Sequence, residues 1–438
     1  MLIDNTINEQ LSVWSAYGLK SNPFSTEALP AFGGDITIAN FFGRDKESNE
    51  VQNIIYNNSQ SRILITGDIG IGKTTFVNHI RAVAFEKSYF TIIAEIGIDH
   101  SWEAEDFMRI TLSSIYTSIN RIKGIKQKFD KEFIERLGVL FGMNRGHSVG
   151  LSGSISLPIG GVNIGGDKSR DYGMPHLDSF IMRDLLREIV ENLTKVGYKG
   201  LVIHYNNLEF LNERENKNLI KLFNGIRDFL QIEKTHFIFV GDYAVSDILQ
   251  RVPRVDGIFF PPIHLKPFNL EEVCSLIDKR VELLQISKEI NILKPYSKES
   301  IDTLYKLFSG NIRAIFKSLA TAIIALSTNN RPIVLYPNNM GLALKEFAED
   351  KYVSKLNQSE INVLIQIMKK GETTNKLISE SLKQLPQNVS NAITELRKYG
   401  CIRLSRIEGR ARYYVPAPEM RWLFFNVEPR AKNQKSLE

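Results

Sequence analysis

Residues 62–80 read RILITGDIGIGKTTFVNHI, and this stretch decides the fold. Its first five residues are mostly apolar and predict a buried strand, while Phe76, Val77 and Ile80 predict the apolar face of a helix. Between the strand and the helix lies G-x-x-x-x-G-K-T, which in this context is the pattern of a phosphate-binding loop. The loop and the residue after it are Gly67, Asp68, Ile69, Gly70, Ile71, Gly72, Lys73, Thr74 and Thr75.

The residue types of this loop suit a nucleoside triphosphate. Gly67 and Gly72 let the backbone curl so that successive N–H groups face a phosphate chain, and the following helix adds the positive end of its dipole. Lys73 is expected to reach the β- and γ-phosphates, and the hydroxyl of Thr74 is expected to bind Mg²⁺. We therefore expect ATP and Mg²⁺ as cofactors. The alternative is a glycine-rich turn that matches the pattern by chance.

Length and composition indicate a cytoplasmic protein of several domains. A chain of 438 residues suggests two to four domains, and apolar and charged fractions of 43% and 24% are typical of a globular protein. The two cysteines, Cys274 and Cys401, have no metal-binding spacing and suggest a reducing compartment. The first residues lack a signal-peptide pattern, and no apolar run approaches the ~20 residues of a membrane helix. We expect no membrane partner.

The net charge of +6 is unevenly distributed along the chain. Residues 351–438 contain 16 Lys and Arg against 8 Asp and Glu, which gives +8 and leaves −2 for residues 1–350. A basic C-terminal segment on a near-neutral body suggests a polyanion as partner. Basic C-terminal segments are also common without one.

Strands alternate with helices over the first 266 residues. This alternation indicates a mostly parallel sheet covered on both faces, which is the three-layer α/β fold of P-loop NTPases. The predicted strands span residues 62–66, 89–97, 200–206, 236–240 and 257–264. The predicted helices span residues 46–57, 103–122, 127–140, 178–195, 216–230 and 242–251.

Residues 147–166, HSVGLSGSISLPIGGVNIGG, interrupt this alternation. Apolar residues alternate there with glycine and serine, and the period of two predicts an inserted β-hairpin. It could be a contact arm for a neighbouring subunit or for DNA, or it could pack on its own domain. Contact of an apolar hairpin tip with a membrane is a further alternative.

The C-terminal part predicts a winged helix-turn-helix. Three helices, marked by Ile361, Leu377 and Val389, precede a basic hairpin, IRLSRIEGRARYYV at residues 402–415. The polar face of the third helix suits base edges, and the hairpin arginines suit the phosphates of duplex DNA. The candidate DNA contacts are Ser390, Asn391, Thr394, Arg397 and Lys398 on the helix, and Arg403, Arg406, Arg410 and Arg412 in the hairpin. A winged helix that contacts protein is the alternative.

These patterns divide the chain into three expected domains. Residues 1–266 form the nucleotide-binding domain, residues 267–335 a helical lid, and residues 336–438 the winged helix-turn-helix domain. Within the lid, helices are predicted over residues 298–308 and 312–326, and a break in the pattern at residues 329–339 predicts the last linker.

Hydrolysis at a phosphate loop normally needs two acids at the end of a later strand, one for the Mg²⁺ shell and one to polarise water. The candidate stretch is LVIHYNNLE, residues 201–209, where Asn206 and Asn207 stand in place of the two acids. Asparagine can hydrogen-bond metal-bound water, but it cannot take a proton. We therefore expect slow hydrolysis. Glu209, slightly past the usual place, and Glu95, which closes the second strand, are alternative bases, although Glu95 could be an ordinary surface acid at a strand end.

The chain resembles the branch of AAA+ ATPases that contains the origin-recognition and transposition-regulator ATPases. The resemblance covers roughly residues 20–420 and rests on GRDKE at residues 43–47, the phosphate loop, SGNIR at residues 309–313, and a winged helix after the lid. It implies that Arg313 touches the γ-phosphate, that Arg254 or Arg251 reaches the nucleotide of a neighbouring copy, and that the protein self-associates. The two asparagines, Gly241-Asp242 at the end of the fourth strand, and the insertion depart from the family pattern and put turnover in doubt.

Two functional hypotheses follow from the sequence. The first is an ATP-dependent DNA-binding protein that assembles on DNA as a loader, a mobile-element component or a defence component. The second is a signalling switch, in which ATP sets the conformation and the winged helix contacts another protein. Salt-dependent binding to duplex DNA distinguishes them.

Overall fold

A computed structural model of the chain describes residues 12–34, 36, 38, 41–141, 178–212, 217–287, 293–327, 331–408 and 411–425. The chain divides into two compact units: Ala28–Lys266 forms one, and Met1–Glu27 with Pro267–Glu438 forms the other. The hairpin expected at residues 147–166 lies outside the described residues. No described helix combines the length and the apolar character that crossing a membrane would require.

The unit Ala28–Lys266 is built around a parallel sheet. Its strands are β1 (Ser61–Thr66), β2 (Tyr89–Thr91), β3 (Ile96–Gly97), β4 (Gly200–Asn206), β5 (Thr235–Gly241) and β6 (Ile263–His264). The order is β2-β4-β5-β1-β6, and β3 pairs with β4 beyond the end of β2. Every pairing is parallel, so the carboxyl ends of the strands meet at one edge. The expected parallel α/β sheet is confirmed.

Helices cover both faces of this sheet. They are α1 (Asp45–Asn57), α2 (Lys73–Glu86), α3 (Ala104–Arg121), α4 (Lys131–Leu140), α5 (Ser179–Lys195), α6 (Lys217–Ile226), α7 (Tyr243–Gln250) and α8 (Pro253–Asp256). Ile63 and Ile65 of β1 share a buried cluster with α1 and α2, whereas Leu64 points into the cluster formed with α3 to α6. This alternation explains why all six residues of β1 are buried, as in a sheet with helices on both faces.

The single strand predicted over residues 89–97 is two short strands. Arg81 on α2 donates to the carbonyl of Ile92, and the N–H of Ile93 donates to the hydroxyl of Ser118 at 2.8 Å. Side chains therefore occupy backbone groups that a continuous strand would have used to pair with β4.

The strand predicted over residues 257–264 is also shorter than expected. The strand residues that pair with β1 are Ile263 and His264, and the helix α8 occupies the chain just before residue 257. The N–H of Phe260 also donates to the carbonyl of Arg62 at 2.9 Å. Pro261 and Pro262, however, have no N–H group to donate, which interrupts the backbone hydrogen bonds between Phe260 and Ile263.

Within the described residues of the second unit, the lid region contains α9 (Leu270–Leu283), α10 (Lys298–Phe308) and α11 (Ile312–Leu326), and α12 (Pro337–Lys351) follows at the start of the range expected for the winged helix-turn-helix domain. Residues 12–27, which we assigned to the nucleotide-binding domain, pack within this unit. Arg280 of α9 donates to the carbonyls of Pro23 and Ser25, and the ring of Phe24 lies 6.3 Å from that of Phe316 on α11. The predicted linker is shorter than residues 329–339, because α12 begins at Pro337.

The same unit ends in the expected winged helix-turn-helix. Its helices are α13 (Gln358–Lys370), α14 (Asn375–Leu382) and α15 (Pro386–Lys398), and its strands are β7 (Thr373–Thr374), β8 (Ile402–Glu408) and β9 (Ala411–Pro416). The strands form an antiparallel sheet in the order β7-β9-β8. A register shift between Leu404 and Arg406 marks an irregularity in the wing. A short 3₁₀ helix, Pro418–Phe424, follows.

Candidate functional site

The phosphate loop adopts a backbone that only glycine accommodates easily. Gly67, Gly70 and Gly72 have φ values of 151°, 88° and 91°, in the region that L-residues rarely enter. A Cβ on Gly67 would lie 2.6 Å from the carbonyl oxygen of Leu265 and 2.5 Å from Cδ1 of Ile71. The loop therefore curls tightly between the end of β1 and the start of α2.

Lys73 is the first residue of α2, and its side chain is buried. Its Nζ donates to the carbonyl oxygens of Gly67 at 2.7 Å and Asp68 at 3.0 Å. The cation thus lies over the loop, where a phosphate oxygen could replace either carbonyl as its acceptor. This is the position that the motif predicts for a phosphate-binding lysine.

Thr74, at the start of α2, is in contact with Asn206, at the end of β4, because the carboxyl ends of the parallel strands share one edge of the sheet. The side-chain amide of Asn206 donates to the hydroxyl of Thr74 at 3.0 Å. The carbonyl oxygen of the same side chain accepts from the backbone N–H of Asn207 at 3.1 Å. Asn207 has φ +65°, a left-handed conformation that asparagine tolerates better than most residues. Both side chains are neutral, so this edge of the loop has neither of the expected carboxylates.

Thr75 and Asn78 of α2 form hydrogen bonds with Leu29, in the segment before α1. The hydroxyl of Thr75 accepts from the N–H of Leu29 at 3.4 Å, and Asn78 donates to the carbonyl of Leu29 at 3.0 Å. Thr75 therefore anchors the lead-in segment on α2. Its predicted contact with the nucleotide stays a prediction.

Glu95 lies beside the strand end that carries Asn206. Ile96 and Gly97 pair with Tyr205 and Asn206, so Glu95 precedes the paired residues by one position. Since side chains alternate along a strand, Glu95 shares the sheet face of Asn206 rather than that of buried Ile96. The side chain is half-buried.

A buried arginine lies near Glu95. Arg81 is fully buried and donates to Thr91 Oγ1 at 3.1 Å and to Asn78 Oδ1 at 2.7 Å. Burial lowers the pKa of Arg81 to about 10, and the negative charge of Glu95 opposes that shift. Burial, and then the charge of Arg81, hold the pKa of His204 well below its ordinary value. His204 is therefore neutral, whereas the Arg81 guanidinium stays a cation that attracts Glu95.

The other acids at strand ends have different surroundings. Glu209 is half-buried in the 3₁₀ helix Leu208–Asn212, directly after β4. Asp242, at the end of β5, accepts from the N–H of Val245 at 3.0 Å and caps α7. Asp242 is therefore used as a helix cap, whereas the role of Glu209 as a base stays a prediction.

Two residues beside the loop were not among the predicted site residues. Arg44 is buried and donates to the carbonyls of Ile71 and Lys266, both at 3.0 Å. Tyr243 donates to the carbonyl of Leu265 at 3.3 Å, and burial together with the charge of Asp68 raises its pKa. The position of Arg44 in the GRDKE stretch was a signal in the sequence. Nothing in the sequence around Tyr243 indicates this placement.

The three arginines implied by the resemblance are exposed. Arg251 directly follows α7 as its C-terminal cap, Arg254 lies in α8, and Arg313 lies in the first turn of α11, after the cap Asn311. Exposed side chains at these places are available to ligands or to other copies of the chain. Their implied roles stay predictions.

The third helix of the winged helix presents the predicted residues to solvent. Ser390, Asn391, Thr394, Arg397 and Lys398 are all exposed. Lys398 pairs with Glu395 at 3.0 Å on the same helix.

The wing arginines differ in their surroundings. Arg406 pairs with Glu372 at 3.0 Å and lies 3.8 Å from the centre of the Tyr413 ring. Arg403 lies 3.7 Å from Glu419. Arg412 is exposed, and Arg410 lies outside the described residues. Arg403 and Arg406 are therefore close to acids of their own unit. The predicted contacts of the wing arginines with DNA stay predictions.

A buried carboxylate links the wing to the lid helix α11. Glu419, only 4% exposed, forms an ion pair with Lys317 of α11 and faces Arg403 of β8. One turn further along, the indole of Trp422 donates to the hydroxyl of Ser318 at 2.8 Å. Burial opposes ionisation of Glu419, but the bonds and charges of Lys317 and Arg403 outweigh it, so its pKa lies below the ordinary value.

Replacing Glu419 with glutamine is expected to lower the free energy of unfolding of this unit by about 1–3 kcal/mol at pH 7, after allowance for the half-exposed Lys317. Because the folded-state pKa is depressed, the wild-type advantage is present above the ordinary glutamate pKa and disappears as pH falls through the folded value. Urea unfolding measures this difference in the free energy of unfolding. The measurement uses a Trp102→Phe background, because the remaining tryptophans, Trp14 and Trp422, both lie in the unit that contains Glu419. Exposed Glu346→Gln on α12 is the control, and a stability gap that persists at low pH would contradict this account.

Similarity to known proteins was found among solved structures. No family model matches the chain, and no curated protein matches its sequence. The solved ORC2 protein of Aeropyrum pernix is 14% identical, with a TM-score of 0.48, over 92% of this chain and 96% of that chain. The ORC1 protein of Aeropyrum pernix, solved with DNA, is 14% identical, with a TM-score of 0.45, over 88% of this chain and 93% of that chain. The RuvB branch migration motor of Thermotoga maritima is 14% identical, with a TM-score of 0.40, over 89% of this chain and 97% of that chain.

These solved structures are similar to the chain over 88–92% of its length. The chain's own elements carry the fold assignment: a phosphate loop after a strand of a parallel sheet, a helical region and a C-terminal winged helix. The expected fold class is confirmed. At this level of similarity, the neighbours say nothing about what this chain binds.

Proposed function

We propose that this chain is an ATP-binding AAA+ protein that binds duplex DNA through its winged helix. The observation that carries the proposal is the meeting of Lys73, Thr74 and Asn206 around a phosphate loop, on the same chain as an exposed, basic winged helix. The first feature suits a nucleotide, and the second suits a polyanion.

The residues around the loop fit ATP and Mg²⁺. Lys73 would exchange its two carbonyl acceptors for phosphate oxygens, and the loop N–H groups would hold the phosphate chain. The hydroxyl of Thr74 would hold Mg²⁺, which in nucleotide sites keeps several waters. The amide of Asn206 could hydrogen-bond one of those waters, although it supplies no charge. When bound, the metal neutralises charge on the phosphates.

Slow turnover and assembly belong to the same proposal. A neutral pair at Asn206 and Asn207 supports slow hydrolysis, so that ATP stays bound and acts mainly on conformation. Exposed Arg254 or Arg251 would reach the nucleotide of a neighbouring copy, which would make self-association depend on ATP. An ATP-dependent assembly on DNA suits a loader, a mobile-element component or a defence component.

The binding of duplex DNA is tested by its dependence on salt. Each phosphate contact that is lost lowers the slope of log K against log salt by about 0.9. We expect Arg412→Ala to lower the slope by about that amount and to weaken binding to all duplexes alike. Fluorescence anisotropy between about 50 and 200 mM salt, with and without ATP, measures both quantities.

Arg331→Ala, an exposed arginine outside the winged helix, is the matched control. Unchanged affinity and slope in Arg412→Ala would remove this wing contact from the proposal. Absence of salt-dependent binding by the wild type would overturn DNA binding. The winged helix would then be the protein-binding part of a nucleotide-held switch.

A further inference from the structure

The exposed face of α15 has a distinctive composition. The helix buries Val389, Ala392, Ile393 and Leu396. Directly opposite, at the spacings i, i+4, i+7 and i+11, it presents Gln387, Asn391, Thr394 and Lys398, all of them exposed. We call these four residues the polar stripe.

Carboxamides dominate the N-terminal half of this face. Gln387 donates to the side-chain oxygen of Asn391 at 3.4 Å, so two amides of the polar stripe lie side by side. Asn388 is exposed next to them. Thr394 donates its hydroxyl proton to the carbonyl of Ser390 at 2.9 Å, which leaves its methyl group and an acceptor lone pair for other contacts.

An apolar side chain lies at the start of the same helix. Leu385 is the N-terminal cap residue of α15 and is 69% exposed. An exposed leucine next to exposed amides is not needed for the core of the domain, because the inward face of α15 is already filled. It could contact an apolar group on a ligand.

These groups match one class of base pair. Asparagine and glutamine bind adenine through N6 and N7, and apolar groups contact the methyl of thymine. Guanine is read mainly by arginine or lysine, and residues 385–396 contain neither. The acid that could accept from cytosine, Glu395, is half-buried and paired with Lys398.

The flanks of the stripe carry charges suited to the phosphates on either side of a groove. Four cationic side chains that flank the stripe are exposed. They are Lys376 of α14, Lys383 directly after α14, Arg397 of α15 and Arg412 of the wing. In helix-turn-helix proteins the N-terminal residues of this helix contact base edges, and phosphate contacts fix its register.

We propose that α15 reads adenine–thymine base pairs in the major groove of duplex DNA, with Gln387 and Asn391 on adenine and Leu385 on a thymine methyl. The inference rests on the proposed DNA binding and adds the class of sequence that is read. It assigns discrimination to the N-terminal half of α15, whereas the flanking cations supply affinity without discrimination.

The test begins with selection of duplexes from a randomised pool by the full chain, in the presence of ATP. The selected sites are expected to share adenine–thymine pairs. In a selected duplex, adenine is then replaced by 7-deazaadenine, which lacks the N7 acceptor, and thymine by uracil, which lacks the methyl. We expect affinity to fall about 5- to 150-fold when a key adenine is changed and about fourfold when the thymine is changed. The same replacement at guanine is expected to have no effect.

Substitutions on α15 test whether this helix causes the preference for adenine–thymine pairs. Gln387→Ala with Asn391→Ala is expected to abolish the effect of 7-deazaadenine while the salt slope stays unchanged. The matched control is Gln358→Ala with Asn362→Ala, because α13 carries the same pair at the same spacing, joined at 3.1 Å. The control is expected to retain the full preference.

The outcomes separate this inference from the proposed function. Salt-dependent binding without preference for adenine–thymine pairs would overturn the inference and leave DNA binding intact. A preference that survives in the Gln387 and Asn391 variant would also overturn it. If the wild type binds no duplex at all, both the inference and the proposed DNA binding fail.

Discussion

Replacing Lys73 with alanine is expected to abolish tight ATP binding. Lys73 is buried over the loop, and its two carbonyl acceptors mark where phosphate oxygens would lie. Removing one partner of a desolvated charge pair costs about 2–5 kcal/mol, which is roughly 30- to 5,000-fold in the dissociation constant. Isothermal titration with ATP and Mg²⁺ measures the change.

The control for this experiment lies just after the C-terminal end of the same helix. Lys87 follows the last residue of α2 and is exposed, so Lys87→Ala removes the same charge away from the loop. Its ATP affinity is expected to match the wild type. An unchanged dissociation constant in Lys73→Ala, with the variant folded, would remove nucleotide binding at this loop from the proposed function.

The parts of the fold that the sequence predicts well are those with strong local signals. The phosphate loop combines a buried strand, obligatory glycines and an amphipathic helix within about twenty residues. The winged helix has three amphipathic helices and a hairpin in the expected order. In both cases the pattern is set by neighbours along the chain.

The parts that the sequence did not predict depend on distant contacts. The break between β2 and β3 arises because Arg81 and Ser118, on two different helices, bond to the backbone of residues 92 and 93. Likewise, residues 12–27 belong with the lid helices because Arg280, far along the chain, binds their carbonyls. Hydrogen bonds between residues far apart in the sequence produce no periodic pattern from which they could be predicted.

In the candidate site, too, some contacts could be predicted from the sequence and others could not. That Thr74 and Asn206 would meet follows from the motif and from strand ends that share one edge of a parallel sheet. The ion pairs of Arg406 with Glu372 and of Arg403 with Glu419 could not be predicted from the sequence, because each acid lies outside the hairpin. Counting four arginines in one hairpin therefore overestimates the positive charge available for the proposed DNA contacts, because two of the described ones lie close to acids.

The second large effect concerns hydrolysis. The wild type is expected to hydrolyse ATP slowly, because the residue that contacts Thr74 is Asn206 and the next residue is Asn207, so neither position supplies a carboxylate. A missing general base typically costs about 10²–10⁴-fold. Asn206→Asp combined with Asn207→Glu is expected to raise the single-turnover rate, by up to about that factor.

The backbone at Asn207 limits how much the added acids can raise the hydrolysis rate. Asn207 has φ +65°, and a glutamate there would bear a strain of roughly 1–2 kcal/mol or would shift the backbone. Aspartate tolerates this conformation better, so Asn206→Asp with Asn207→Asp is the second variant to measure. Asn49→Asp, at an exposed position of α1, adds a negative charge away from the loop and is expected to leave the rate unchanged.

The competing idea is that an existing carboxylate already acts as the base. Glu95 is attracted by the buried cation of Arg81 and lies one residue before the strand that pairs with Asn206, whereas Glu209 follows the same strand end as Asn207. Single-turnover hydrolysis in Glu95→Gln and Glu209→Gln separates the two ideas, because glutamine keeps the shape of the side chain and removes the base. Fast wild-type turnover that is lost in either variant would overturn the expectation of slow hydrolysis and identify the base. Slow turnover that rises only when acids replace the asparagines would instead identify Asn206 and Asn207 as the cause.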